Sequence, residues 1–385
     1  MNIYRKNKYL KKVKIREINA KSILRKHKKI DSWFLSRYGM NLYRGCSHNC
    51  VYCDGRSEKY NVEGEFGLEV EVKINSLDIL NRELDPKRKR VPLNKGYVMV
   101  GGGVGDSYQP IEKKYALTRK TLELLYEKNF PVHVLTKSNL VERDLDILKK
   151  INEKNHAIVS FSFSSANNEI CSIFEPGVPP PEDRFEILEM FKKEGIPIGM
   201  FLLPVIPFIT DNPEVMEKTI KKAKKIGIDF IIFGGMTLKD GRQKDYFYKE
   251  LKKTHPNLMV EYNNIYKGGK WGSPSPDYYH SIHQTFDIIS KKYKISKRIP
   301  PQLYRDILDE NDLVIVTLEH IDYLLKFKGI KSPYGYSAYG ISKINEPLSN
   351  IKGNLRSIKG VGPTTEKIIL EILDTGRSTN LQKLL

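Results

Sequence analysis

The chain has 385 residues, with 65 Lys and Arg against 46 Asp and Glu and a formal net charge of +19 at pH 7. That length allows one large domain with something smaller beside it, and membrane spanning is excluded because the longest apolar candidate, residues 198–209, is short and broken by Pro204 and Pro207. Charges interrupt residues 1–30 too often for a signal peptide, and four cysteines, three of them crowded together, do not make a disulfide framework, so a cytoplasmic location is expected.

In chain order, residues 1–40 carry thirteen Lys and Arg against Glu17 and Asp31. Residues 1–37 are therefore expected to be a basic arm that suits an anionic partner, nucleic acid first, or that serves only as a solvated tail. Residues 40–43 form a short apolar run that delivers the segment RGCSHNCVYCD, residues 44–54. From there apolar runs at 97–100, 132–135, 156–163, 196–203 and 228–233 alternate with helical patterns at 76–84, 111–128, 140–151, 182–194 and 213–226. Six strands alternating with helices argue for parallel βα units, a six-stranded partial barrel or an open doubly wound sheet. Beyond Gly241 the pattern loosens. Helices are expected at 246–253, 278–293 and 313–327, and 332–338, rich in Tyr, Gly and Pro, is read as a loop or linker.

The sharpest chemistry is in the cysteine segment. Cys46, Cys50 and Cys53 fall in a C-x-x-x-C-x-x-C spacing. Three thiolates can converge on one metal centre and leave one metal position open. The competing reading is a zinc knuckle of Cys46, His48, Cys50 and Cys53, although zinc fingers usually split their ligands into two separated pairs. Other candidate groups fall after successive strands: glycines at 101–103 and 105, Thr136-Lys137-Ser138, and Ser160, Ser162 and Ser164, which alternation puts on one strand face. Glycines there allow a ligand close to the backbone or make a tight turn. Lys137 can pair with a carboxylate, hydroxyls can take a ribose, and Arg184 can clamp a carboxylate. Asp106, Tyr108, Gln109 and Glu112 either face a substrate or order their loop, with Glu112 favoured as structural.

The cysteine spacing, with Tyr52 just before the last cysteine, resembles the signature of the radical SAM enzymes. NLYRGCSHNCVYC, GDSYQPIEKKYALTRKTLELL, VLTKSNLVERDLDIL and FEPGVPPPEDRFEIL resemble the spore photoproduct lyase-like branch of that family, from about Lys21 to Thr237. The resemblance implies an α/β fold with a partial (β/α)6 TIM-type barrel over residues 38–300. It implies a 4Fe–4S cluster on Cys46, Cys50 and Cys53, with S-adenosylmethionine on the fourth iron. The cofactor is reductively cleaved to methionine and a 5'-deoxyadenosyl radical that abstracts hydrogen, and a reductant protein such as a ferredoxin or flavodoxin supplies the electron. Tyr52, Gly102, Gly103, Lys137, Ser160, Ser162 and Arg184 are the positions expected to bind the cofactor. One departure is that Gly103 stands where photoproduct lyases carry the cysteine that returns a hydrogen atom; the fourth cysteine, Cys171, lies much later.

After a helical extension and linker over 301–350, residues 351–385 contain LRSIKGVGPTTEKII, which resembles a helix–hairpin–helix motif and would form a small all-α module. Gly360 and Gly362 permit the hairpin, Pro363 suits the first turn of the next helix, and backbone N–H groups there can hold a phosphate. Lys359, Gly360, Gly362, Thr364 and Lys367 are the expected nucleic-acid contacts; protein docking is the alternative use. The combined expectation is a radical SAM enzyme acting on nucleic acid, a damaged or modified DNA base first. The alternatives are action on RNA, protein or a small molecule, or a non-catalytic metal-stabilised DNA-binding protein.

Overall fold

The computed structural model describes residues 13–60, 62–87, 93, 96–101, 105–269 and 271–385. Among these residues ten strands form two sheets: β1 (Lys14–Ile18), β2 (Leu24–Asp31), β3 (Ser36–Met40), β4 (Tyr43–Arg44), β5 (Glu69–Lys73), β6 (Tyr97–Gly101), β7 (Val132–Thr136), β8 (Ala157–Phe163), β9 (Ile198–Val205) and β10 (Phe230–Gly235). The larger sheet has the order β10-β9-β8-β7-β6-β3-β2. Its six strands β3 and β6 to β10 run parallel, and β2 closes one edge antiparallel to β3. The sheet curls into a half-barrel, which is the partial barrel expected.

Parallel strands of this kind are buried on both faces. Val98, Val134, Val159, Met200 and Ile231 pack outward under helices, against Leu122, Leu148, Leu188 and Ile220. Their neighbours Tyr97, Met99, Ile158, Phe201 and Phe230 face inward and share a core with Ile299, Val314, Leu318 and Ile369 from the C-terminal third of the chain. The turn between β2 and β3 plugs the concave side. Phe34 stacks on Phe201 with ring centroids 5.2 Å apart.

The first parallel strand lies four residues earlier than the apolar run at 40–43 suggests. The chain leaves it to join a second, three-stranded sheet of order β1-β5-β4. β4 then hands the chain through Gly45, whose φ is +80° and where a Cβ would lie 2.5 Å from the Glu69 carbonyl, into the cysteine loop. Residues 14–18 and 24–31 of the expected basic arm are therefore strands; residues 1–12 lie outside the described residues. The expected helix over 111–128 is interrupted at Ala116 (φ +51°) between Glu112–Tyr115 and Leu117–Glu127. The buried Glu112 carboxylate explains the break: it accepts the N–H groups of Thr118 (3.0 Å) and Arg119 (3.3 Å) at the start of the second segment. The segment read as a loop at 332–338 is largely the helix Tyr334–Ile341, held by Ser337, Ala338 and Ile341 on its buried side.

Candidate cofactor site

The site lies at the carboxyl ends of the parallel strands, where barrels of this type place their chemistry. The cysteine loop is braced from inside by Arg56. Its buried guanidinium donates to the carbonyls of Phe66 (3.0 Å), Asn49 (3.4 Å) and Cys50 (3.4 Å) and stacks over Tyr246, 3.5 Å from the ring centroid. Gln109 braces it from the β6 side, accepting from Ser47 N–H (2.9 Å) and donating to the Gly45 carbonyl (3.1 Å). A third brace is the loop carrying FEPGVP: Gly177 N–H donates to the His48 carbonyl, and a Cβ at Gly177 would lie 2.7 Å from that oxygen. These contacts explain how one segment of eleven residues can hold three thiols in place.

All four cysteines are unpaired; Cys46 and Cys50 are buried and Cys53 is partly so. Burial pushes the three loop thiols up, and nearby negative charge adds to it, from Asp106 and Cys53 on Cys46 and from Glu175, Cys53 and Cys46 on Cys50. Metal binding displaces such protons, so this donor set suits a cationic cluster. Among the described residues no three donors are gathered tightly enough to share a single ion, whereas a cubane puts its three cysteines on three different irons. His48 Nδ1–H donates to the Gly177 carbonyl (2.9 Å) and Nε2 lies 3.2 Å from Asp106 Oδ2.

Asp106 joins the cysteine loop to the end of β7. Besides meeting His48, it accepts from Thr136 Oγ1 (2.8 Å), Lys137 N–H (2.8 Å) and Tyr108 N–H (2.8 Å). Burial alone would raise its pKa, but His48 and these N–H donors outweigh burial and hold it below the usual carboxylate range. The polar cluster behind the β6 glycines thus orders loops: Asp106 and Gln109 tie down the cysteine segment, and Glu112 caps a helix.

Beside Cys50 sits a hub that sequence reasoning missed, the buried carboxylate of Glu175. It accepts from Arg184 Nη2 (2.7 Å), Ser164 Oγ (2.9 Å) and Tyr52 OH, and Lys137 Nζ lies 3.6 Å away. Burial pushes its pKa up, but Arg184, Lys137 and the hydroxyls prevail and bring it down to about 2. The available signal was in Lys137 and Arg184 themselves, since two cations brought into a core need a counter-charge.

The structure gathers Tyr52, Lys137, Ser162 and Arg184. Lys137 Nζ is 2.8 Å from Ser162 Oγ and 5.6 Å from the Tyr52 ring centroid. Arg184, wholly buried, donates to the Ser162 carbonyl (2.8 Å) and clamps Glu175, so the carboxylate it holds is the protein's own. Ser160 is not brought in. It donates to His133 Nε2 (2.8 Å), whose Nδ1–H donates to the Phe34 carbonyl (2.9 Å). Alternation does put Ser160 and Ser162 on one face, but Ser160 sits about 7 Å deeper along the strand. Gly102 and Gly103 lie outside the described residues. Cys171 is buried behind the hub, its Sγ 3.4 Å from the Ser165 carbonyl.

The family model described as the radical SAM superfamily matches residues 40–213. The uncharacterized protein MJ0683 of Methanocaldococcus jannaschii is 30% identical over 217 residues, covering 56% of this chain and 76% of that protein. The chain belongs to the radical SAM superfamily. The uncharacterized protein Rv2578c of Mycobacterium tuberculosis is 28% identical over 273 residues, covering 69% of this chain and 78% of that one. Among solved structures, spore photoproduct lyase complexed with dinucleoside spore photoproduct has a TM-score of 0.55 at 16% identity, covering 72% of this chain and 79% of that chain. A mutant of that lyase with bound AdoMet and dinucleoside spore photoproduct has a TM-score of 0.53 at 18% identity, covering 70% and 78%. These structural likenesses show the fold. As a radical SAM enzyme the protein uses a 4Fe–4S cluster and S-adenosylmethionine. Among the described residues no helix is long and apolar enough to cross a membrane.

Proposed function

We propose that Cys46, Cys50 and Cys53 hold the cluster and that the enzyme abstracts hydrogen from nucleic acid, with a damaged or modified DNA base the leading substrate. The observation that carries the reading is the placement of three free, mutually interacting thiols directly beside the Lys137–Ser162–Glu175 network at the strand ends. When bound, the cluster and S-adenosylmethionine supply the 5'-deoxyadenosyl radical. The chain's own residues bind and orient. The Lys137 ammonium, partly exposed beside fully buried Arg184, is the cation available to a cofactor carboxylate. Glu175, held by Arg184, fixes the Tyr52 hydroxyl and the Lys137 side chain.

DNA as substrate draws support from the basic balance of the chain and from the exposed Lys359, Thr364 and Lys367 around the turn at Gly360 and Gly362. A base would have to leave the stack to reach the strand ends. The cysteine that photoproduct lyases use for hydrogen return is replaced by Gly103, so the reaction is placed in the lyase-like class without assigning it the spore photoproduct. A DNA-repair role, a ferredoxin- or flavodoxin-type reductant and a cytoplasmic setting that keeps thiols reduced complete the reading. Against a zinc knuckle stands the spread of the donors, since among the described residues no three His, Cys, Asp or Glu side chains are gathered to share a single ion.

The test is anaerobic reconstitution with iron and sulfide, then assay for 5'-deoxyadenosine under strong reductant. Wild type should form it and Cys46→Ala, Cys50→Ala and Cys53→Ala should not. Deuterium from labelled damaged DNA should then appear in 5'-deoxyadenosine. Cleavage without such transfer would keep the radical chemistry and reject the DNA substrate.

A further inference from the structure

A cavity of about 1000 Å³ opens at the seam between the two edges of the half-barrel. Its walls are the β2–β3 turn, the helix Pro276–Lys292 that follows β10, and the helix Glu310–Phe327. None of its lining belongs to the cysteine loop or the Glu175 hub.

At its wall lies Arg298, 2% exposed. The guanidinium carbon sits 3.3 Å from the Tyr323 ring centroid and 4.6 Å from that of Trp33. Its Nε and Nη1 make no hydrogen bond. Two further groups lining the same cavity, the Tyr323 hydroxyl and His283 Nε2, are likewise buried without a hydrogen-bond partner. The carboxylates in the wall are otherwise engaged: Glu319 pairs with Lys29, and Asp322 pairs with Lys326 (2.6 Å) and Ser332 (2.6 Å). Asp31 accepts the Trp33 N–H (2.8 Å); it and Glu319 act on Arg298 through charge alone.

Leaving buried donors unpaired is costly, most of all when they are charged, and each such group in a native structure calls for a partner, whether a ligand, an ion or a water. A planar guanidinium fork beside a phenol and an imidazole matches the oxygens of a phosphate. Trp33 and Tyr279, the latter 40% exposed, line the same cavity and, beside their own neighbours Arg298 (4.6 Å) and His283 (4.2 Å), offer aromatic surface to a flat ring. We propose that this cavity binds a nucleotide unit, its phosphate on Arg298, Tyr323 and His283 and its base against Trp33 and Tyr279. A free nucleotide and a nucleotide within a single strand share this chemistry. The proposal does not depend on the radical reaction, because binding needs neither cluster nor S-adenosylmethionine.

Trp33 is a built-in reporter. The chain has two tryptophans, and Trp271 lies on the surface, 56% exposed. In the full chain carrying Trp271→Phe, thymidine monophosphate should quench the remaining fluorescence saturably, and thymidine, which lacks the phosphate, should bind at least about tenfold more weakly, the factor set by a charge-assisted hydrogen bond. Added Arg298→Gln should weaken the nucleotide by a similar factor, and Tyr323→Phe by less. A short thymidine oligonucleotide that saturates the same signal identifies a strand as the source; saturation by the mononucleotide alone identifies a free nucleotide, and either supports the site. Absence of saturable quenching by both, equal binding of thymidine and its monophosphate, or binding indifferent to these substitutions would overturn it. Should Arg298→Gln fail to fold, Tyr323→Phe and His283→Gln carry the decision.

Discussion

Ser160 and Ser162 stand two residues apart on one face of β8, and their hydroxyls meet different partners. Ser162 Oγ receives Lys137 and donates to the Leu203 carbonyl (2.7 Å), whereas Ser160 Oγ serves a buried imidazole. Ser162→Ala should weaken S-adenosylmethionine binding to the reconstituted enzyme about tenfold, the scale of one charge-assisted hydrogen bond. Ser160→Ala should leave that affinity unchanged and cost about 1–3 kcal/mol in urea unfolding, because it strands His133; the opposite pattern would assign the cofactor contact to Ser160. The same histidine makes stability depend on pH. Burial lowers its pKa from 6.5 to about 4, so below pH 6.5 the unfolded chain takes a proton that the folded chain refuses. Unfolding free energy should therefore fall between pH 6.5 and 4, by about 3 kcal/mol from this residue, and His133→Asn should flatten that part of the curve. His320, lowered by burial to about 3, acts in the same direction. Glu175 adds a further loss as pH drops from 4.5 toward 2, since its depressed pKa favours the folded state only while the carboxylate is charged.

Single elements show what periodicity reveals and what it hides. The five βα units from β6 onward are legible because each strand is a short, mostly apolar run and each helix has one apolar stripe. β1 (KIREI) is not, because almost all its side chains are exposed and only backbone pairing with β5 makes it a strand. The helix Tyr334–Ile341 is hidden for a different reason: its composition favours loops, and tertiary contact overrides propensity. Gly340 shows how close that contact is, for a Cβ there would lie 2.3 Å from the Lys359 carbonyl. Gly340→Ala should push the helix off the hairpin and cost about 1–3 kcal/mol, as overpacking does, with faster amide exchange over 355–362. Gly353→Ala, where a Cβ meets nothing within 4 Å, should leave exchange there unchanged.

Across the whole molecule, the cysteine site is legible because its ligands are local in sequence. The Glu175 hub is not, because Tyr52, Lys137, Ser164 and Arg184 meet it only after four segments fold together. The tail shares this non-local character. Leu355, Ile358, Ile368, Ile369 and Ile372 are buried in the same core as the inward face of the sheet. Each is worth about 1.5–3 kcal/mol of burial, so a chain lacking residues 351–385 should be insoluble or lose cooperative unfolding, and it would be a poor test of DNA binding. The full chain with Lys359→Glu and Lys367→Glu should fold as wild type while the salt dependence of duplex binding, by fluorescence anisotropy, flattens by about 2 in the log–log slope. An unchanged slope would show that the hairpin does not touch phosphate.

The way the tail is mounted has a geometric consequence. A hairpin on a flexible tether would sample many separations from the strand ends, and its local concentration there would follow tether length. Here Ser337 Oγ donates to the Gly360 carbonyl (2.6 Å), and the helix Pro363–Thr375 packs through Ile368, Ile369 and Ile372 into the core beneath the sheet. The turn therefore acts as a fixed gauge. On the proposed nucleic-acid reading, a phosphate backbone on this turn would lie at one span from the cysteine mouth, and protection footprints should fall at a constant offset from the reacting position.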